Sequence, residues 1–448
     1  MSVAATRTLV LGLGVTGLSV VRFLRARGDV LAVADTRDNP PGLEALRRDM
    51  PDVAVFVGGL APSVLDHADQ VVVSPGLASD TPVLQEARAR GLPVYGDIEL
   101  FARHVDAPVV AVTGSNGKST VTTLVGLMGR EVSGATRMGG NLGTPALDLL
   151  TGEGDPAALY VLELSSFQLE LTDTLATRVS TVLNISPDHM DRYAGLAEYA
   201  AAKQRILAHA RTAVLNREDA TVMGMAGDVA QVITFGLDKP PTQRDYGLLE
   251  RDGAVWLARG ETLLLPAGEL LIPGRHNLAN ALAALATGEA AGLPIEAMLG
   301  VLRTFPGLPH RSQWVARIDG VDFYNDSKAT NPGASLAAIE GLGRPLVLIA
   351  GGEGKDADFS VLAPAVREHV HAAVLIGRDA SLLADALADC TELHRAESMA
   401  RAVRMAARLA RQGDAVLLSP ACASFDMFEG YEHRGRDFVA AVRELASA

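Results

Sequence analysis

The stretch from residue 109 to 123 constrains the fold of this chain more than any other feature. It reads VVAVTGSNGKSTVTT, in which four apolar residues at 109–112 predict a buried strand and residues 114–117 a tight loop. A helix is expected to begin at Lys118. Glycines let backbone N–H groups turn toward a phosphate, the helix N-terminus adds partial positive charge, and Lys118 adds a full charge. The stretch therefore predicts an anion site between a strand and a helix.

The same stretch offers hydroxyl groups for a metal ion. Ser119 or Thr120 would place a hydroxyl on Mg²⁺ beside bound phosphates. The pattern is a variant of the P-loop, because Val112 stands where the standard spacing has its first glycine. The alternative interpretation is a glycine-rich turn that binds nothing.

Length and charge limit the classes of protein to which the chain can belong. A chain of 448 residues is too long for one core and predicts two to four domains. With 40 basic and 53 acidic residues, nucleic acid is not expected as a partner, so an anionic substrate must meet local lysines and arginines. Two cysteines are too few for a disulfide framework, and no apolar segment reaches membrane-spanning length. We therefore expect a cytoplasmic protein without a membrane partner.

A second glycine loop, GLGVTG at residues 12–17, lies between a predicted strand and a predicted helix. The next strand, at 30–34, ends at Asp35, which is near the distance expected in a Rossmann-type βαβ unit. Asp35, Thr36 and Arg37 are candidates to contact the base or ribose of a nucleotide or nucleotide sugar. An NAD site and a purely structural turn are the alternatives.

Three candidate residues of the middle region differ in how they are interpreted locally. Glu163 ends a strand at 159–162, where a P-loop enzyme needs a Mg²⁺ ligand, although it could instead cap the following helix. His189, with two nearby carboxylates, is either a ligand of a second cation or a hydrogen-bonding loop residue. Lys203, on a helix predicted at 196–208, is expected from its surroundings to be solvated.

Alternating strands and helices predict an α/β fold. Residues 246–272 are expected to form antiparallel hairpins, and Asn277 and Asn280 to share one face of a helix, where they could hold an adenine edge unless Asn277 caps it. Connecting segments predict a Rossmann-like N-terminal domain, a central P-loop domain with a mainly parallel sheet plus a small antiparallel sheet, and a C-terminal Rossmann-like domain, at 1–97, 98–304 and 305–448.

Taken in order, the motifs resemble those of the Mur ligases of peptidoglycan synthesis over nearly the whole chain. They are TGSNGKST at 113–120, GNLG at 140–143, ELSSFQ at 163–168, DHMD at 188–191, GRHN at 274–277, LPHR at 308–311, NDSKAT at 325–330 and SPACAS at 419–424. The segments NDSKATN and GGEGK, at 325–331 and 351–355, resemble those of the D-glutamate-adding members.

The resemblance implies an ATP-dependent ligase that adds D-glutamate to UDP-N-acetylmuramoyl-L-alanine. ATP would phosphorylate the terminal carboxylate, the amine of D-glutamate would attack the acyl phosphate, and a tetrahedral intermediate would expel phosphate. A monomer is expected. The alternatives are another Mur enzyme or a relative of folylpolyglutamate synthase and, from other classes, an NAD-dependent oxidoreductase, a P-loop kinase or a nucleotide-binding scaffold.

The resemblance also implies roles for individual residues. Those expected to bind ATP are Gly114, Ser115, Asn116, Gly117, Lys118, Ser119, Thr120, Asn277, Arg311 and Asp326. Those expected to bind the UDP-sugar are Gly14, Val15, Thr16, Asp35, Thr36, Arg37, Gly76 and Asn141. D-Glutamate would meet Thr330, Lys355, Ser424 and Tyr431, the last being usually Phe in the family. Two Mg²⁺ ions would be held by Ser119, Glu163, His189 and a carbamylated Lys203, and the implied catalytic residues are Lys118, Glu163, His189 and Lys203.

Overall fold

A computed structural model describes residues 6–152, 154–189, 192–272, 274–354 and 357–447. The chain forms two compact units. The first extends to Leu265 and also contains Asn280–Val301, and the second contains Pro266–Ala279 and the residues from Leu302 onward. Within the described ranges, no helix combines the length and apolar character needed to cross a membrane.

The first unit begins with a five-stranded parallel sheet of order β3-β2-β1-β4-β5. Its strands are β1 (Arg7–Leu11), β2 (Val30–Ala34), β3 (Ala54–Phe56), β4 (Gln70–Val73) and β5 (Val94–Gly96). Its helices are α1 (Val15–Ala26), α2 (Leu43–Asp49), α3 (Pro82–Ala89) and α4 (Asp97–Ala102), with a 3₁₀ turn at Pro62–Leu65. Apolar residues of β1 and β4 are buried on both faces, as a parallel sheet covered by helices requires.

The nine-stranded sheet of the same unit has the order β14-β13-β12-β11-β10-β9-β6-β8-β7. Its strands are β6 (Val109–Thr113), β7 (Thr136–Gly140), β8 (Leu159–Glu163), β9 (Thr177–Val182), β10 (Ala210–Asn216), β11 (Gln231–Phe235), β12 (Tyr246–Arg251), β13 (Ala254–Arg259) and β14 (Thr262–Pro266). Strands β6 to β12 pair in parallel, and β12 pairs with β13 antiparallel, so the predicted hairpin extends the sheet.

Helices flank this sheet and place its loops. They are α5 (Lys118–Val132), α6 (Ala146–Leu150), α7 (Ser166–Glu170), α8 (Leu196–Gln204) and α9 (Ala220–Met223), with a 3₁₀ turn at Arg205–Leu207. Helices α10 (Arg275–Ala290) and α11 (Ile295–Thr304) each have residues in both units, and a 3₁₀ turn at Ala267–Glu269 belongs to the second unit. Strand β6 lies between β8 and β9. The loops that follow these three strands therefore emerge side by side at one edge.

The second unit contains a six-stranded sheet of order β15-β16-β20-β17-β18-β19. Its strands are β15 (Gln313–Ile318), β16 (Val321–Asn325), β17 (Leu346–Gly351), β18 (Val370–Ile376), β19 (Glu392–Arg395) and β20 (Ala415–Leu418). Its helices are α12 (Pro332–Leu342), α13 (Ala363–His369), α14 (Ala380–Leu387), α15 (Met399–Leu409) and α16 (Tyr431–Ala446), with a 3₁₀ turn at Phe359–Leu362.

The elements differ from the sequence expectations in three places. Strands β15 and β19 are not expected from the sequence, because they lie at the two sheet edges, are only partly buried and lack a clear apolar pattern. Helix α1 begins at Val15 rather than at residue 18. Helix α8 ends at Gln204, and the remainder of the predicted helix forms the following 3₁₀ turn.

Candidate active site

The glycine loop after β6 folds over its own lysine. The Nζ atom of Lys118 donates to the carbonyl oxygens of Gly114 at 2.9 Å and Ser115 at 3.0 Å. Gly117 has φ +83°, and a Cβ there would collide with the amide oxygen of Asn280. Only glycine can adopt this left-handed backbone without strain and also leave room for the Asn280 side chain. The loop therefore brings its lysine and the N-terminus of α5 to one place, as an anion site needs.

A segment that follows β9 holds this loop in shape. The backbone N–H of Ser115 donates to the Asn184 carbonyl at 2.9 Å, and the N–H of Asn116 donates to the Asn184 side-chain oxygen at 2.8 Å. The Ser115 hydroxyl lies 3.0 Å from the Ser186 carbonyl oxygen. These bonds to the β9 segment were not foreseen from the sequence, because they join residues about 70 positions apart.

Glu163 ends β8 beside Val112 of β6 and is 3% exposed. Its Oε1 accepts a hydrogen bond from the Asn141 amide at 2.7 Å, whereas its Oε2 is buried without a hydrogen-bond partner among the described residues. Burying a carboxylate oxygen without a partner costs free energy, and a bound cation at this atom would supply the missing interaction.

The alternative role of Glu163 as a helix cap is wrong. The N-cap of α7 is Ser165, whose hydroxyl accepts the Gln168 N–H at 3.2 Å. The Gln168 side-chain oxygen in turn accepts the Ser165 N–H at 3.1 Å, which completes a capping box. Glu163 therefore remains available to a ligand.

Lys203 is buried, so the expectation of a solvated lysine is wrong. The side chain is 1% exposed, and its Nζ lies 3.4 Å from the Thr113 hydroxyl and 4.7 Å from the centre of the Tyr199 ring. Burial, and then repulsion from Lys118, lowers the pKa of the amine from 10.5 to about 7, although Asp188 and Glu163 oppose the change. A substantial fraction of the amine is therefore neutral and nucleophilic near neutral pH.

His189 lies in the loop beyond Ser186 and has a left-handed backbone, with φ 55°. Its Nε2 is 3.6 Å from a carboxylate oxygen of Asp188, and its ring centre is 4.9 Å from that of Phe167. Across the described residues, no cluster of three His, Cys, Asp or Glu side chains is arranged to hold a metal ion. The expected metal ligands include a serine and a modified lysine, which fall outside such a cluster, so two metal sites stay a prediction.

The first sheet forms a cavity of about 410 Å³ at the carboxyl ends of β1, β2 and β4. It is lined by Gly12, Gly14, Val15, Thr16, Asp35, Thr36, Arg37, Ser74, Pro75, Gly76 and Leu77. Seven of the eight residues expected to bind the UDP-sugar line it, and the eighth, Asn141, lies beside Glu163 instead. The cavity lies where the strand order reverses, which is the usual ligand position in such sheets.

Asp35 organises this cavity. Its carboxylate accepts the N–H of Leu13 at 2.7 Å and two side-chain bonds from Arg37 at 2.8 and 2.7 Å. Burial opposes ionisation, but these hydrogen bonds from Arg37 and Leu13 lower the pKa of Asp35 to about 2. The ionised carboxylate therefore fixes both the glycine loop and the arginine that faces the cavity.

In the second unit, Asp326 is buried at the end of β16. Its carboxylate accepts the Ser419 hydroxyl at 2.8 Å and the Ser312 N–H at 3.0 Å. Burial raises the pKa of Asp326 to about 6, although these hydrogen bonds oppose the change. Arg311 is exposed, and Asn277 is a residue of α10 rather than its N-cap, because the helix begins at Arg275.

Of the residues expected to bind the amino acid, Thr330 and Ser424 lie in loops of the same unit, and Tyr431 is the first residue of α16. Thr330 is exposed, Ser424 is 2% exposed, and Lys355 lies outside the described residues. The Tyr431 ring centre is 5.4 Å from Nζ of Lys328 and 6.0 Å from the centre of the His310 ring.

Arg434 is a residue that the sequence interpretation missed. It is fully buried on α16 and donates to the Ser327 carbonyl at 2.9 Å, the Cys422 carbonyl at 3.0 Å and the Gly351 carbonyl at 3.4 Å. Burial lowers the pKa of its guanidinium from 12.5 to about 10. Arg434 therefore joins the end of β17 to the loops that follow β16 and β20. It lies among charged residues of a surface helix, which gives no sequence signal for burial.

Three domain models match the chain in order. They describe a Mur ligase MurD-like N-terminal domain at 6–96, a Mur ligase middle domain at 112–288 and a Mur ligase glutamate ligase domain at 310–422. A Pseudomonas savastanoi pv. phaseolicola protein named UDP-N-acetylmuramoylalanine--D-glutamate ligase is 58% identical, with 98% of each chain covered. The chain belongs to the Mur ligase family. The predicted family is therefore confirmed, and this family uses ATP and Mg²⁺.

Further Mur ligases support the same conclusion. Proteins of that name from Pseudomonas aeruginosa and Methylococcus capsulatus are 55% and 54% identical, with 98% of this chain covered and 98% and 95% of theirs. A solved UDP-N-acetylmuramate-alanine ligase from Thermotoga maritima has a TM-score of 0.58 at 18% identity, with 98% of this chain and 99% of its own covered. At that identity the likeness shows the fold, and it confirms the predicted α/β class with three Mur ligase domains.

Proposed function

We propose that this Mur ligase catalyses the ATP-dependent addition of D-glutamate to UDP-N-acetylmuramoyl-L-alanine, a step in the synthesis of peptidoglycan precursors. The observation that carries the proposal is identity of 54–58% to enzymes of that name along nearly the whole length of both chains. The chemistry of the first unit supports it, because a phosphate loop, a buried carboxylate and a buried amine of low pKa lie together.

The phosphate loop and its lysine bind ATP. The N-terminus of α5 and Lys118 offset the charge of the phosphates. The ATP contacts assigned from the loop are Gly114, Ser115, Asn116, Gly117, Lys118, Ser119 and Thr120, and those assigned from other segments are Asn277, Arg311 and Asp326.

Four side chains would hold two Mg²⁺ ions. Ser119 and Glu163 would bind one, and His189 and a carbamylated Lys203 the other. The Oε2 atom of Glu163 fits this assignment, because it has no hydrogen-bond partner in the part of the chain that the structure describes. The low pKa of the Lys203 amine also fits, because a neutral amine can add carbon dioxide. When bound, these ions neutralise the repulsion between the γ-phosphate and the substrate carboxylate.

The reaction first converts a carboxylate into an electrophile. A carboxylate oxygen of the L-alanine residue attacks the γ-phosphorus and ADP leaves, which gives an acyl phosphate. The neutral amine of D-glutamate then attacks the acyl carbon, the nitrogen gives up a proton, and the tetrahedral intermediate expels phosphate. Lys118 stabilises the negative charge that accumulates on the transferring group.

The remaining contacts divide between the two substrates. The sugar nucleotide occupies the cavity of the first sheet, against Gly14, Val15, Thr16, Asp35, Thr36, Arg37 and Gly76, and also meets Asn141. D-Glutamate meets Thr330, Lys355, Ser424 and Tyr431. We keep the domain ranges 1–97, 98–304 and 305–448 as proposals, together with a monomeric state and a cytoplasmic location where ATP is supplied.

Phosphate release in the presence of ATP, Mg²⁺ and UDP-N-acetylmuramoyl-L-alanine tests the proposal. D-Glutamate is expected to support release of one phosphate per peptide bond, with the product identified by mass. L-Glutamate, L-alanine and diaminopimelate serve as competing amino acids, and Lys118→Met as the inactive control. Preferential use of one of these competitors, or phosphate release that does not depend on an amino acid, would contradict the proposal.

A further inference from the structure

Arg192 connects two loops of the first unit that belong to different sheets. Its guanidinium nitrogens lie 3.5 Å from the carbonyl oxygen of Gly76 and 3.3 Å from that of Leu77, both in the loop after β4. That loop lines the 410 Å³ cavity of the first sheet. The guanidinium carbon lies over the Phe167 ring, 4.4 Å from the ring centre.

Phe167 continues the connection toward the metal candidates. It belongs to α7, directly after the strand that ends at Glu163, and its ring centre is 4.9 Å from that of His189. The Tyr193 ring stacks on the Phe167 ring, with centres 5.9 Å apart and planes 12° apart. A continuous set of contacts therefore runs from the Gly76 loop through Arg192 and Phe167 to His189.

We infer that Arg192 is a positioning residue that couples the sugar-nucleotide loop to His189. This inference rests on the proposed function. The guanidinium reaches two carbonyl oxygens while its carbon lies over an aromatic ring, and the compact ammonium of a lysine lacks the planar fork that makes both contacts. Fixing the Gly76 and Leu77 carbonyls sets the path of the loop that contacts the substrate, and the same guanidinium limits where the Phe167 ring can lie. His189 packs against that ring.

Coupling of this kind acts in both directions. If the loop is ordered when the sugar nucleotide binds, Arg192 holds Phe167 and His189 in the position that binds the metal ion, so substrate tightens Mg²⁺ binding. The reverse effect must have the same size, because the coupling free energy belongs to the pair of ligands. Loss of Arg192 should therefore weaken the coupling more than it weakens either the fold or the binding of amino acid.

The chain offers a matched control. Arg88 and Arg192 both line a second cavity of the first unit, of about 640 Å³. Arg88 also donates to a backbone carbonyl, that of Ser79, at 2.7 Å. Arg88→Met removes a guanidinium from the same surroundings without changing the set of contacts that includes Phe167. Arg192→Lys keeps the charge, and Arg192→Met keeps only the apolar stem.

The experiment measures the Mg²⁺ concentration for half-maximal rate at low and at saturating sugar nucleotide. In the unmodified enzyme, saturating substrate is expected to lower this concentration about fivefold, and in Arg192→Lys and Arg192→Met the effect should largely disappear. The KM for the sugar nucleotide should rise about fivefold, while the KM for D-glutamate and the melting temperature stay close to their original values. Arg88→Met should behave like the unmodified enzyme.

Phe167→Leu provides a second variant that does not touch the Gly76 loop. It should reproduce the loss of coupling, and the double variant Arg192→Met, Phe167→Leu should lose no more than either single variant. The inference would be overturned if the two substitutions reduced the coupling independently, so that the double variant lost more than either single variant. It would also be overturned if Arg192→Met kept normal coupling, or if its Mg²⁺ requirement and both KM values changed together with the melting temperature.

Calorimetry separates failure of this inference from failure of the proposed function. Binding of UDP-N-acetylmuramoyl-L-alanine, measured with and without Mg²⁺, tests the coupling without any need for turnover. Failure of the unmodified enzyme to form product would contradict the proposed function, whereas equal coupling in the unmodified and Arg192→Met proteins would contradict only the role of Arg192.

Discussion

Replacing Lys203 with methionine is expected to stabilise the fold and at the same time to abolish activity. Burial and the charge of Lys118 lower the pKa of the Lys203 amine from 10.5 to about 7. At 1.36 kcal/mol per pKa unit, this difference corresponds to at most about 5 kcal/mol of unfolding free energy lost by burying the ammonium form. Methionine has a similar length and adapts to the same space without a charge.

The sign of the effect depends on pH. The folded-state pKa of Lys203 lies below the unfolded-state value, so the unfolded chain binds more protons between about pH 7 and 10.5. The penalty is complete below about pH 7, shrinks as the pH rises, and is absent above about 10.5. Stability of the unmodified protein should therefore rise through this range more steeply than that of Lys203→Met.

The difference in stability between the two proteins is measured locally by amide hydrogen exchange of peptides from β6 and α5, in bicarbonate-free buffer without metal. At pH 6.5, Lys203→Met should protect these peptides more than the unmodified protein does, and at pH 9.5 the difference should be smaller. Lys239→Met, at an exposed lysine, is the control and should change neither. Weaker protection in Lys203→Met at both pH values would refute the reasoning.

The predicted loss of activity is tested with a smaller side chain at position 203, which leaves room for an added carboxylic acid. Lys203→Ala should lose about 100-fold or more in rate, because a metal ligand is lost. A short carboxylic acid should restore part of the rate by replacing the carbamate. Full activity of the unrescued variant would show that no carbamate at this position is needed.

Three further substitutions test other parts of the site. Glu163→Gln should raise the half-saturating Mg²⁺ concentration about tenfold or more while the melting temperature is maintained, because Oε2 has no hydrogen bond to lose among the described residues; an unchanged Mg²⁺ requirement would remove Glu163 from the metal site. Gly117→Ala should raise the KM for ATP, since the left-handed backbone and the neighbouring amide exclude a Cβ, whereas Gly134→Ala, with open space around it, should leave ATP binding unchanged. Arg434→Met should destabilise the second unit by about 3 kcal/mol or more in denaturant unfolding, with Arg436→Met, at an exposed arginine, as the control; a difference below about 1 kcal/mol would contradict a role for Arg434 in joining three segments of this unit.

The parts of the site that could be predicted from the sequence are those whose signals are local. The phosphate loop is marked by a β-branched run, glycines and a helix start within fifteen residues, and α5 begins at Lys118 as expected. Asp35 and Glu163 could be located because the carboxyl ends of parallel strands meet at one edge, so a polar residue directly after an apolar run is placed at that edge.

Lys203 and Arg434 could not be placed by such signals, and for the same physical reason. Both are long cationic side chains on helices, where solvation is the usual outcome, and burial becomes tolerable only through partners distant in the chain. Lys203 meets Thr113, 90 positions away, and Arg434 meets Ser327, 107 positions away. The family resemblance named Lys203 as a candidate, and its role stays a prediction. It did not supply Arg434, whose contacts are mostly to backbone carbonyls, and carbonyl positions leave no trace in the identity of the residues that carry them. Residues that bind backbone are therefore the ones for which coordinates add most to the sequence.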